Sequence, residues 1–134
     1  MNTTIDDMDS DPTPEGQLTL QELAMPGDTN ANGDIYGGWL MSKMDLAGST
    51  TATQLAGGRV TTVAAGSMAF LRPVPVGSLV SCYTSVTEVG RSSIRVLVDV
   101  WLSRPGTGEN YKVTEGAFVY VAIDDNGRTR QISG

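Results

Sequence analysis

The 134-residue chain contains no histidine. That absence excludes Ser-His-Asp and Cys-His nucleophilic systems, and with a single cysteine it leaves too few ligands for the usual zinc sites. Proton transfer near neutral pH therefore falls to a carboxylate, a tyrosine, a lysine or water. Cys82 cannot form an internal disulfide; within the strand-like run SLVSCYTSV it reads as a small core residue suited to a reducing compartment. Basic residues are also scarce, nine Lys and Arg against fifteen Asp and Glu, for a net charge of −6. Much of the imbalance lies in Asp6, Asp7, Asp9, Asp11 and Glu15, ahead of the first basic residue, Lys43; without those five, ten acids face nine bases. The body of the protein is then nearly neutral, with no basic field to recruit nucleic acid or an anionic membrane. No apolar run approaches bilayer length, and the N-terminus is acidic where a secretory signal would be basic and then apolar. A soluble, cytoplasmic protein is expected.

What is present fits one domain with a core of its own. Residues 1–15 combine acids, threonines and prolines with almost nothing to bury, and are expected to form a disordered acidic tail ahead of a domain spanning 16–134. QLTLQELAM alternates as a first strand and ends at the turn signal Pro26-Gly27-Asp28. From Trp39 to about Ala56 the spacing predicts a helix, with Leu40, Met41, Met44, Ala47, Gly48, Thr51, Ala52 and Leu55 on one face and Gly57-Gly58 as its stop. The remainder reads as extended: VTTVAAGSMAF with a bulge at Gly66, then LVSCYTSVTEV, SSIRVLVDVWLS and YKVTEGAFVYVAI. A strand, one helix and four strands in antiparallel meander have an economical packing, in which a curved five-stranded sheet wraps the helix. This is the α+β hotdog arrangement.

Chemistry concentrates in DTNANGDIYGGWLMSKMD, Asp28 to Asp45. Asp45 borders the apolar face of the helix with no Lys or Arg three or four residues away. A solvated flank or a distant arginine partner would explain it; but Asp is a poor helix-interior residue, and this position favours a functional carboxylate. Gly37 and Gly38 precede the helix and leave its first N–H groups uncovered, so a carbonyl oxygen can approach the positive end of the dipole, unless the pair serves only as a tight entry turn. Asn30, Asn32 and Asp34 are ordinary turn and cap residues, although a neutral amide there can also orient a water. Arg59, Arg72, Arg91 and Lys112 are isolated bases at loops or strand ends, each most simply a surface charge; two or three converging would hold phosphates. Ser92, after Gly90, suits either a hairpin or a hydroxyl contact to ligand. Tyr36 and Trp39 are expected to pack.

The segments PGDTNANGDIYGGWLMSKMDLAG, GRVTTVAAGSMAFLRPVPVGSLV and YKVTEGAFVYVAID resemble the YciA-type acyl-CoA thioesterases of the hotdog superfamily, over about Leu18 to Ile123. The resemblance implies hydrolysis of acyl-CoA to free acid and CoA without metal or separate cofactor, coenzyme A being part of the substrate. It matches Asp45 to the family's helix acid and Asn30 to its loop asparagine, supplied by opposite protomers, so that the site lies at a dimer interface within a hexamer built as a trimer of dimers. It implies that Gly38 N–H faces the thioester oxygen. Gly37, Asp34, Arg59, Arg72, Arg91, Ser92 and Lys112 are the candidates for holding substrate. A non-catalytic acyl-CoA or nucleotide-binding module, or a loop used only as an oligomer contact, remain the competing expectations.

Overall fold

The computed structural model describes residues 13–132. Its elements are β1 (Gln17–Leu23), a single 3-10 turn (Pro26–Asp28), α1 (Gly37–Ala56), β2 (Val60–Ala65), β3 (Leu79–Val89), β4 (Ser93–Ser103) and β5 (Asn110–Ala122). The expected acidic tail lies largely outside the described residues. Its last part does not fit that expectation, since the Glu15 N–H donates to Asp99 Oδ2 at 3.0 Å and ties the chain to the sheet before β1 begins.

All five strands form one antiparallel sheet in the order β1-β3-β4-β5-β2. Only β3, β4 and β5 make a meander, so the expected four-strand meander is corrected. β2 pairs with β5 at the far edge, and the chain then follows β5, with Gly66 N–H donating to Ala117 O and Leu71 N–H to Val113 O, before it crosses to β3. Two prolines, Pro73 and Pro75, lie on that crossing, outside the strands whose ladders their missing N–H groups would break. The bulge expected at Gly66 falls earlier, where the β2 register shifts between Thr62 and Ala64.

Strand alternation puts Ile94, Val96, Val98, Val100 and Leu102 of β4 on the inner face, all fully buried, against α1. The helix buries Trp39, Leu40, Met44, Ala47, Gly48, Ala52 and Ala56. Met41 and Leu55, expected on that face, are exposed instead, because the sheet covers a stripe displaced toward Trp39 and Ala56. Trp39 packs as expected, whereas Tyr36 is exposed. Gly57 ends the helix in the left-handed region (φ 69°), its N–H returning to Thr53 O. Arg130 then reaches back from the C-terminal segment, Nη2 to Ala56 O at 2.9 Å, placing positive charge at the negative end of the helix.

Candidate active site

The mouth of α1 is built by the loop before it. Asn30 Oδ1 accepts the N–H groups of Asn32 (2.9 Å) and Asp34 (3.2 Å), while Asn30 N–H donates to Asp34 O at 2.7 Å. This side-chain-closed turn consumes the amide oxygen and leaves the Nδ2 donors of Asn30, an exposed residue, without a partner among the described residues. Asp34 acts as the turn's partner, its backbone bridged to Pro75. Ile35 N–H donates to Val74 O, which fixes the loop to the β2–β3 crossing and aims α1.

The helix begins at Gly37 with Tyr36 as N-cap and no side-chain cap. Trp39 and Leu40 N–H groups turn back to Tyr36 O, whereas the N–H groups of Gly37 and Gly38 have no acceptor among the described residues. Neither glycine has a positive φ, so the tight-turn explanation of the pair fails; what the missing side chains provide is open backbone at a helix N-terminus. Gly37 lines a cleft of about 250 Å³ with Ile35, Leu40, Phe70, Arg72 and Val74. The Arg72 guanidinium lies 4.5 Å from the centroid of the Tyr111 ring, held over it. Arg72 is thus the one expected base that the fold brings to the helix mouth.

Asp45 stands two turns further along. It is partly buried, and no Lys or Arg among the described residues lies within ion-pair distance of it. Its Oδ1 accepts from Thr62 Oγ1 of β2 and from the Tyr120 hydroxyl of β5, both at 2.9 Å; the same hydroxyl lies 3.1 Å from Asp45 O. Oδ2 accepts no hydrogen bond from any described residue. Burial pushes the Tyr120 phenol well above its ordinary range, and the hydrogen bond to Asp45 and its charge add to the shift, so this group remains protonated and acts as a donor. Tyr120 and Thr62 were not singled out in the sequence. The alternation of YKVTEGAFVYVAI does place Tyr120 on the inner face with Phe118, but pairing with Asp45 spans 75 positions and leaves no local trace.

The other expected binding residues separate. Arg59, Arg91 and Ser92 gather at the opposite end of the sheet, where Arg59 O accepts Ile123 N–H, Ser92 O accepts Ala122 N–H and Arg91 O accepts Ile132 N–H. Lys112 does not stand free: it is ion-paired with Asp99 at 3.3 Å and with Glu115. Met44 is sealed in the core against the Gly116 backbone, while Met68 lines a surface cleft of about 370 Å³ with Leu71 and Thr114. Among the described residues no cluster of three His, Cys, Asp or Glu could hold a metal, and no helix is long and apolar enough to cross a membrane.

Known proteins share this arrangement of sequence and fold. The model of the thioesterase superfamily matches residues 32–109, more than half of the chain. The acyl-CoA thioester hydrolase YciA of Salmonella typhimurium is 50% identical over 125 residues, covering 91% of this chain and 94% of its own. Among solved structures, the hexameric broad-specificity acyl-coenzyme A thioesterase HI0827 is 50% identical with a TM-score of 0.87, over 92% of this chain and 85% of that one. The hexameric thioesterase from Yersinia pestis is 49% identical with a TM-score of 0.87, over 91% and 99%. The chain belongs to the hotdog thioesterase superfamily and, within it, to the YciA-type acyl-CoA thioester hydrolases.

Proposed function

We propose that the chain hydrolyses acyl-CoA thioesters to free carboxylic acid and CoA, with Asp45 as the reacting carboxylate and the first N–H groups of α1 as the polariser of the carbonyl. The observation that carries this reading is Asp45 itself: a partly buried carboxylate with one oxygen held by two hydroxyls and, among the described residues, no partner on the other and no cation paired with it. The thioester oxygen docks at Gly38 N–H, where the helix dipole stabilises the negative charge that develops on it. Asp45 Oδ2 then either takes a proton from an attacking water or attacks the carbonyl carbon itself, in which case the C–S bond breaks, the CoA thiolate leaves, and water hydrolyses the resulting mixed anhydride to release the acid and regenerate the carboxylate. In the first route the water oxygen bonds to the acyl carbon and the C–S bond breaks. The CoA thiolate leaves and recovers a proton, and the carboxylic acid departs. Thiolate is a good leaving group, so the reaction needs no strong general acid and no cofactor beyond the CoA carried by the substrate.

Gly38 and Asp45 of one chain are seven residues apart, roughly 10 Å along a helix rising ~1.5 Å per residue, too far to act on one carbonyl. The site therefore takes Gly38 and the unpaired amide donors of Asn30 from one protomer and Asp45 from its partner. The exposed edge strand β2, with Val63 54% and nearby Leu71 63% exposed, supports such an assembly. The protein is a homo-oligomer, and we read it as a cytoplasmic hexamer like the relatives it resembles, with Arg59 and Arg91 holding CoA phosphates. A thiol-release assay over short, medium and long acyl-CoA esters tests the activity. Asp45→Asn should lower turnover by roughly 10²–10⁴-fold, the range for a lost acid–base group, while the assembly persists. Undiminished turnover, or saturable binding without CoA release from the unaltered protein, would refute it.

A further inference from the structure

A buried tyrosine hydroxyl needs one acceptor, and Asp45 O at 3.1 Å would suffice for Tyr120. The structure spends the hydroxyl differently. It lies closer to the Asp45 carboxylate, at 2.9 Å, and Thr62 Oγ1 reaches the same Oδ1 from the neighbouring strand at the same distance. Two donors match the acceptor capacity that Oδ1 has left, so the carboxylate cannot rotate without losing both bonds.

The route by which the phenol arrives is also specific. Tyr120 is fully buried on the inner face of β5, its ring stacked on Phe118 with centroids 6.4 Å apart. To reach Asp45 it passes over the helix at Gly48. A Cβ at that position would overlap the Tyr120 hydroxyl and stand 3.0 Å from its Cζ. Gly48 has no positive φ and sits in mid-helix, where glycine costs roughly 1 kcal/mol against alanine. Its backbone gives no reason for a glycine; the phenol does.

We propose that Tyr120 is a positioning residue for the reaction: through the opening at Gly48 it clamps Asp45 Oδ1, together with Thr62, and so presents Oδ2 to the substrate held by the other protomer. The inference rests on Asp45 being the reacting carboxylate and adds the device that fixes which of its oxygens reacts and where. A misplacement of about 1 Å in a reacting group is enough to cost on the order of a hundredfold in rate.

The test compares Tyr120→Phe, Gly48→Ala, their combination and Thr62→Val with Asp45→Asn, measuring kcat and KM for one acyl-CoA ester alongside oligomeric state and thermal midpoint. Tyr120→Phe keeps the ring and is expected to lower kcat roughly ten- to a hundredfold with KM within about twofold. Gly48→Ala displaces the same hydroxyl and should reproduce the kcat loss, and the double variant should be no slower than the slower single, because both remove one interaction. Thr62→Val should show a smaller loss of the same kind. If Gly48→Ala fails to fold, Tyr120→Phe and Thr62→Val carry the test by themselves. Wild-type kcat in Tyr120→Phe with an inactive Asp45→Asn overturns the inference and leaves the hydrolase reading standing. A kcat loss in Tyr120→Phe that tracks loss of the assembled protein also overturns it. Full activity in Asp45→Asn overturns the reading beneath it, and the inference with it.

Discussion

Gly38 and Asp45 occupy the same helix but not the same surroundings: Gly38 faces the Tyr36 ring, next to the Gly37 that lines the cleft of Leu40 and Phe70, and Asp45 sits two turns on beneath Thr62 and Tyr120. On the proposed mechanism, a carbonyl bound at one chain's helix mouth meets the carboxylate of another. Complementation between inactive variants follows. Mixing and reassembling Asp45→Ala with Asn30→Ala should restore about a quarter of wild-type turnover, since half of the dimers in a random mixture are hybrids and each carries one intact site. If both groups came from one chain, the mixture would stay dead.

The backbone donor at Gly38 is separable from its small size. A Cβ there would meet the Tyr36 ring at 3.5 Å, an ordinary contact, so Gly38→Ala should fold and keep its N–H. Gly38→Pro lacks that N–H yet is tolerated in a first helical turn. The proline variant should lose on the order of 10²–10³ in kcat, the cost of one oxyanion donor, and the alanine variant far less. Equal losses in steady-state assays would count against a backbone donor.

The bases divide by the company they keep. Arg59 and Arg91 share one end of the sheet, and Lys112 is already bound to Asp99 and Glu115. Arg91→Ala and Arg59→Ala are expected to raise KM for an acyl-CoA about tenfold each, the worth of a charge-assisted contact, and to leave an acyl-pantetheine substrate unaffected. Lys112→Ala should leave both KM values unchanged and instead lower the thermal midpoint, because Asp99, 3% exposed, loses its only cation among the described residues.

Alkaline pH should loosen the protein through groups buried in their neutral form. Burial pushes the Cys82 thiol from 9.0 up to about 12, with Glu22 adding to the effect, and Tyr120 is displaced in the same direction. In the folded state both hold their protons to higher pH than in the unfolded chain. Their contribution is fully present below the unfolded values and is lost as pH rises through the folded ones. The urea midpoint should therefore fall between pH 9.0 and about 12, and less so in Cys82→Ala. At neutral pH a thiol reagent should modify Cys82 only after denaturant is added.

Local pattern carried the elements well. Alternation in SSIRVLVDVWLS marks β4 to within one residue, and Gly57 ends the helix where its spacing requires. The helix begins two residues ahead of the expected Trp39, because Gly37-Gly38 has poor helix propensity and owes its helical form to the loop anchored at Val74. Asp45 stood out through the absence of a cation on its own helix, a feature that needs no tertiary knowledge.

From the sequence alone came a single-helix α+β chain, a chemistry without histidine, and the candidates Asp45 and Gly37-Gly38, with the family resemblance singling out Asn30 and Gly38. Tertiary structure decided which strands are neighbours, placing β2 beside β5, and thereby which hydroxyls meet Asp45 and which base is already paired. The physical reason is the range of the forces: side-chain periodicity and backbone propensity act over a few residues and appear in the chain. Strand pairing and the burial of Tyr120 against Gly48 arise only when distant segments exclude water together.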